Sequence, residues 1–198
     1  MSPAVAVNKG AATRESVVGH ALSIALTDGF EGLTIGNVAQ SVGMSKSGVF
    51  AHFGSREDLQ LAVLDAAAQR FTDNVFMPAM REKRGLPRLR AIMRHWVIWM
   101  RNEGCPMVSA AVEYDDRPGP IRDRVVEYQT RLRRELARAV QMAIDTGELK
   151  ADCDPQQLAF EIFAVELALH HDSRLFKRSD SMVRAERSMQ RLLDSYRS

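Results

Sequence analysis

Residues 34–53 read TIGNVAQSVGMSKSGVFAHF, and their punctuation decides the fold. Thr34 is a helix N-cap, Gly43 breaks the helix where a positive φ is needed, and Ser45 caps a second helix. Two short helices joined by so tight a turn form a helix-turn-helix. Ala39 is small where the two helices cross, while Val38, Val42 and Val49 supply the buried contacts between them. With Ser45 as cap, the second helix turns Lys46, Ser47, Gly48, Phe50 and Ala51 outward, with His52 toward one flank. A helix exposed in this way fits the major groove of DNA.

The flanking sequence extends the pattern in both directions. Upstream, a helix from Thr13 to about Thr27 buries Val17, Val18, Ala21, Leu22 and Ala25 and ends at Gly29. Residues 1–12 ahead of it are expected to form a flexible arm. Downstream, Gly54 closes the recognition helix, and Ser55 with Asp58 caps a long fourth helix whose apolar face is Leu59, Val63, Ala66 and Phe71.

Taken together, Thr34, Val38, Ala39, Gly43, Ser45, Phe50, His52, Phe53, Glu57 and Leu59 resemble the signature of the TetR family of bacterial transcription regulators over residues 13–62. The resemblance implies a homodimeric repressor that holds a palindromic, double-stranded operator and is released by a small-molecule effector. It also implies that Ser45, Lys46 and Ser47 touch base edges and that Thr34, His52, Ser55 and Arg56 touch phosphates, helped by the partial positive charge of helix N-termini. His52 also reads as a half-exposed structural histidine. Position 50 is Phe where the family usually has Tyr, so a hydroxyl contact of about 0.5–1.5 kcal/mol is missing and a thymine methyl is the alternative partner. Arg56 stands where Lys is common and offers a bidentate fork to phosphate.

The rest of the chain, residues 63–198, reads as a larger effector-binding and dimerisation domain, giving an all-α protein of about nine helices. Leu86–Asn102 carries Leu89, Ile92, Met93, Trp96, Trp99 and Met100 on a wide apolar face, and the longest helix follows the loop at 115–120. Met93, Trp96, Met100, Tyr114, Tyr128 and Phe163 are candidates for a pocket that takes an apolar or aromatic effector, although such stripes also pack the core of any bundle. Near-heptad seams are expected to form the dimer interface. The first seam consists of Leu158, Ile162, Val165 and Leu169, and the second of Met182, Ala185, Met189, Leu192 and Tyr196.

Composition narrows the remaining classes. The apolar runs fall short of the ~20 residues of a membrane span, and no signal-peptide pattern opens the chain, so a cytoplasmic protein is expected. Cys105 and Cys153 are far apart and read as reduced, structural thiols. His170 and His171 point about 100° apart on a helix and so do not readily share an ion with Glu166, which makes them a polar edge and leaves no metal site expected. The sequence lacks a phosphate loop, a nucleophile elbow and H-E-x-x-H, so neither an enzyme nor a bound cofactor is expected. Charge adds little, because the first 60 residues carry four Lys and Arg against five Asp and Glu. DNA affinity must therefore come from where the cations stand.

Overall fold

The caps and breaks read from the sequence become helix ends in the computed structural model, which describes residues 9–102 and 104–198. Helix α1 spans Lys9–Asp28, so residues expected to belong to a flexible arm are helical from Lys9 onward, while residues 1–8 lie outside the described residues. Thr13, the expected start of the helix, is interior to α1. Helix α2 spans Ile35–Val42, with the Thr34 hydroxyl accepting the Asn37 N–H, and ends at Gly43, whose φ is 67°. Helix α3 spans Lys46–Phe53, with the Ser45 hydroxyl accepting the Gly48 N–H. Helix α4 spans Arg56–Phe71. At its start the Ser55 hydroxyl accepts the Asp58 N–H at 2.9 Å and donates to the Asp58 carboxylate at 2.6 Å.

Beyond Phe71 the fourth helix widens into a π-helical turn, Thr72–Phe76, and finishes in one tight turn, Met77–Ala79. Helices α5 (Leu86–Asn102), α6 (Pro106–Tyr114) and α7 (Pro120–Asp145) follow. Helix α8 (Pro155–His171) runs into a second π-helical turn, Asp172–Phe176, and α9 spans Ser181–Ser195. Among the described residues there are nine helices and no strand, as the all-α expectation requires; the nearest approach to a sheet is an isolated bridge between Leu149 and Arg197.

The chain divides into two compact units, and the divisions fall inside helices α4 and α7 and just before α6. The first unit runs through Ala67 and also takes in Pro106–Val125. In it α1 packs on α2, α3 and α6, burying Val17, Val18, Ala21, Leu22 and Ala25 of the expected stripe together with Phe30, Leu33, Val38, Val49 and Phe53. Each large apolar side chain buried this way contributes about 1.5–3 kcal/mol. The second unit comprises Ala68–Cys105 and Val126–Ser198, and its centre is the mutual packing of α5, α8 and α9.

The loop between α1 and α2 is only six residues long, and side chains distant in sequence bind five of its backbone groups. The Glu113 carboxylate accepts the Phe30 N–H at 3.0 Å through one oxygen and the Glu31 N–H at 2.9 Å through the other. Gln60 donates to the Phe30 carbonyl at 2.7 Å, and Arg56 donates to the Leu33 and Glu31 carbonyls at 2.8 Å each. Arg56 and Arg117 also pair with the Glu31 carboxylate, and these two guanidinium groups hold its pKa below the usual range. Buried backbone polar groups need partners, so these contacts fix the path of the chain into α2.

Gly29 makes that clamp possible. Its φ is +72°, and a Cβ placed there would stand 2.5 Å from Glu113 Oε1. Gly43, also at positive φ, has nothing within 4 Å of that point. Gly43→Ala should therefore cost only the left-handed strain of about 1–2 kcal/mol. Gly29→Ala should cost that strain plus the displaced carboxylate, about 1–3 kcal/mol more. In a Glu113→Ala background the extra cost of Gly29→Ala should vanish, and urea titration of the four proteins in this cycle checks it. Additive losses would show that the glycine and the carboxylate act independently.

Candidate functional site

On α3 the buried residues are Val49 and Phe53, which leaves Ser47, Phe50 and Ala51 on the opposite face. Phe50 is 54% exposed, an unusual position for a phenylalanine that has a core within reach. Lys46 is exposed at the start of the helix, its ammonium 3.7 Å from the point where a side chain on Gly36 would begin. Gly48 and His52 are half-buried at the sides of the face, and Ser45 joins it through a 3.1 Å hydroxyl contact with Ser47. Thr34 and Ser55, both half-buried, spend their oxygens on the caps of α2 and α4, and Thr34 keeps its hydroxyl proton. The Ser55 proton goes to Asp58.

Two placements differ from the sequence expectation. Arg56 was expected to face phosphate, but its guanidinium donates to the α1–α2 loop at Leu33 and Glu31 and serves as a brace. A cation the sequence gave no reason to choose takes a place beside α3: Arg14, from α1, sets its guanidinium 4.9 Å over the ring of Phe53. Lys46 thus stands at the start of α3, and Arg14 lies against Phe53 at its end.

The second unit gathers an aromatic cluster. Phe71 meets Trp96 at 5.3 Å, Trp99 at 6.2 Å and Phe76 at 5.9 Å, and Trp96 meets Phe163 at 6.0 Å between ring centroids. The π-helical turn explains Phe76, since hydrogen bonds to the fifth residue bring positions 71 and 76 to one face. Of the expected pocket residues, Trp96 and Phe163 belong to this cluster, and Met100 is buried on the same helix as Trp96. Met93 instead lines a groove of about 250 Å³ between α5 and α9, with Arg90, Arg94, Glu186 and Met189. Tyr128 is half-buried on α7. Tyr114 lies in the first unit, where Arg117 stacks on it at 5.7 Å and burial pushes its hydroxyl pKa up.

Glu166 lies on the same face of α8 as Phe163, one turn away, and is 1% exposed. Neither of its carboxylate oxygens has a hydrogen-bond partner, and desolvation raises its pKa well above the usual range. The indole N–H groups of Trp96 and Trp99 are also buried without partners. Half-buried His170, one turn beyond Glu166, has its pKa lowered mainly by burial. No group of three His, Cys, Asp or Glu able to hold a metal ion occurs among the described residues. Cys153 is buried, with its thiol pKa pushed up by desolvation, and Cys105 is half-buried; the two form no disulfide.

The expected dimer seam needs correction. Leu158, Ile162, Leu169, Ala185 and Met189 are buried within the chain itself, in the packing of its own α5, α8 and α9. Val165, Met182, Leu192 and Tyr196 are half-buried, and the Tyr196 hydroxyl donates to Glu161 at 3.3 Å. The exposed apolar stripe of α8 lies on its other side and consists of Phe160, Ala164, Leu167 and Ala168. Leu175 and Phe176 on the following π turn are exposed as well.

Comparison with known proteins adds an independent line. Residues 20–63 match the family model described as bacterial regulatory proteins, tetR family, and residues 85–189, more than half of the chain, match the tetracyclin repressor-like C-terminal domain. No curated protein matches the sequence. Among solved structures, a TetR-family transcriptional regulator from Cytophaga hutchinsonii superposes with a TM-score of 0.84 at 15% identity, covering 98% of each chain. One from Chloroflexus aurantiacus gives 0.80 at 26% identity, covering 95% of this chain and 96% of that one. AibR, solved in complex with isovaleryl coenzyme A and operator DNA, gives 0.69 at 20% identity, covering 92% and 97%.

The buried carboxylate makes a pH-dependent contribution to stability whose sign is fixed. Because its folded pKa is raised, Glu166 holds its proton to higher pH when folded than when unfolded, so stability falls as pH rises from the ordinary carboxylate range to the folded value. Glu166→Gln should remove that slope and be more stable near neutral pH by about 1–3 kcal/mol. Urea denaturation of parent and variant across the acid-to-neutral range checks this, and a constant offset at every pH would contradict it.

Proposed function

Because the chain belongs to the TetR family of transcriptional regulators, we propose that it is a homodimeric repressor whose two α3 helices read a palindromic operator and which lets go when a small molecule binds its C-terminal domain. The observation that carries this reading is the outward face of α3, where Ser47, Phe50 and Ala51 stand free on a helix capped at Ser45. In it, Ser45, Lys46, Ser47 and Phe50 meet base edges, with the Phe50 ring against a thymine methyl. Lys46 and Arg14, with the hydroxyl of Thr34 and the ring of His52, meet phosphates. Arg56 acts indirectly, by holding the loop that aims α2.

A dimer is what a palindrome requires, since two recognition helices must reach grooves about 34–36 Å apart. The apolar stripe Phe160–Ala164–Leu167–Ala168 on α8, with no partner in its own chain, supports an interface there. Effector release is supported by the solved complex of AibR, a protein of the same fold, with a small molecule and operator DNA. It needs the ligand to prefer the released state by about 1–3 kcal/mol or more. The aromatic cluster of Phe71, Trp96, Trp99 and Phe163 is the proposed binding region. Such a regulator works in the cytoplasm; no helix among the described residues is long and apolar enough to cross a membrane.

Gel shifts against the DNA flanking the protein's own gene test the reading set. Arg14→Ala and Lys46→Ala should weaken binding and each lower the slope of log affinity against log salt by about one unit. Phe50→Ala should keep the slope and relax preference at one base pair by about 1–3 kcal/mol. An unchanged salt slope in both cation variants would remove them from the interface. Sedimentation tests the dimer: Phe160→Glu should give folded monomers with poor DNA retention, whereas Leu158→Glu should unfold the chain. A Phe160→Glu protein that still sediments as a dimer would overturn the α8 interface.

A further inference from the structure

Most of the buried polar atoms that lack a partner among the described residues belong to one neighbourhood: Trp96 Nε1, Trp99 Nε1 and both oxygens of Glu166. Phe71 touches both indoles, Trp96 touches Phe163, and Glu166 follows Phe163 by one turn. Buried polar groups are paired in almost every folded protein, because leaving one unpaired costs its desolvation. Here two indole donors on α5 and a carboxyl on α8, helices that pack on each other, are buried without pairing, so a third molecule with groups of both senses would satisfy them all. We propose that Glu166, Trp96 and Trp99 are the polar anchor of the effector site, and that the effector is an apolar molecule carrying a protonated amine. This rests on the effector-release reading above and specifies its ligand.

The charge follows from the surroundings. Among the described residues no Lys, Arg or His forms an ion pair with Glu166, and burial is what acts on its carboxyl. Burial keeps the carboxyl protonated in the free protein, and an ammonium that binds beside it takes the place of that proton, which leaves to water, so the ligand supplies both N–H donors and the countercharge of the carboxylate. An alcohol offers a donor without the charge, and an anion leaves the carboxyl protonated and brings no countercharge. The aromatic walls favour the same ligand, because a ring face attracts cations. Phe163 already shows this, with the Arg133 guanidinium 4.4 Å from its centroid. An acceptor elsewhere on the ligand serves the two indole N–H groups. Phe71 and Phe76 sit where α4 becomes π-helical, so a ligand that displaces either ring acts on the helix that begins beside the recognition helix.

The protein's only two tryptophans are Trp96 and Trp99, so tryptophan emission, excited selectively over tyrosine, reports from this site alone. Titration of the full chain with 4-phenylbutylamine, 4-phenylbutan-1-ol and 4-phenylbutyrate compares cation, neutral molecule and anion on one apolar body. The amine should shift the emission saturably and half-saturate at about tenfold lower concentration than the other two. Glu166→Gln, which keeps the side-chain shape, should weaken the amine about tenfold and leave the alcohol within about twofold. The inference is overturned by equal affinity for amine and alcohol, by tightest binding of the carboxylate, by no response to the amine, or by a folded Glu166→Gln that binds it as the parent does. The three-probe comparison on the unmodified protein decides the matter even if the variant does not fold. No DNA is present in the titration, so amine binding that leaves DNA retention unchanged keeps the anchor and removes only the release reading.

Discussion

The α1–α2 loop is the constraint on which the reading geometry depends. A helix of eight residues such as α3 is too short to hold its own direction, since isolated helices of that length are marginal in water. Its direction comes from α1 and α2 beneath it, and the direction of α2 comes from a loop whose carbonyls and amides are held by Arg56, Gln60 and Glu113. Two of those residues lie on α4 and one on α6, so hydrogen bonds, several of them charge-assisted, tie the loop to two helices. Glu113 reaches the backbone because residue 29 is glycine. That arrangement makes α6, a helix remote in sequence, part of the unit that carries the recognition helix.

The sequence showed most where the physics is local. Caps at Thr34, Ser45 and Ser55 and the break at Gly43 involve partners three to five residues away, so the helix-turn-helix was legible from spacing. The role of Arg56 was not, because its acceptors lie 23 and 25 residues upstream and a surface arginine before an acidic turn looks available. The packing of Arg14 on Phe53 was not legible for the same reason, since the two belong to different helices. The seam of α8 and α9 fails differently. Periodicity identifies the face that is buried but not what buries it, and Leu158, Ile162 and Met189 pack against their own chain. The exposed stripe around Phe160 and Leu167 is broken by small alanines and reads weakly in sequence. Phe76 escaped because a π turn breaks the 3.6-residue period from which faces are inferred.

Helix α4 begins with the cap beside the recognition helix and ends at Phe71, inside the aromatic cluster, and it belongs to both compact units. Glu166 marks the C-terminal unit as a place where stability has been given up, because a well-packed apolar side chain there would cost less than an unpaired carboxylate. Buried polar groups retained against that cost are where function concentrates.

The central claim is that the chain presents α3 to DNA twice, by symmetry. Selecting bound sequences from a random pool of duplex DNA tests it most directly. The account predicts enrichment of an inverted repeat whose half-site centres lie about one helical turn, or a whole number of turns, apart. Enrichment of a single asymmetric site, or no enrichment at all, would contradict it.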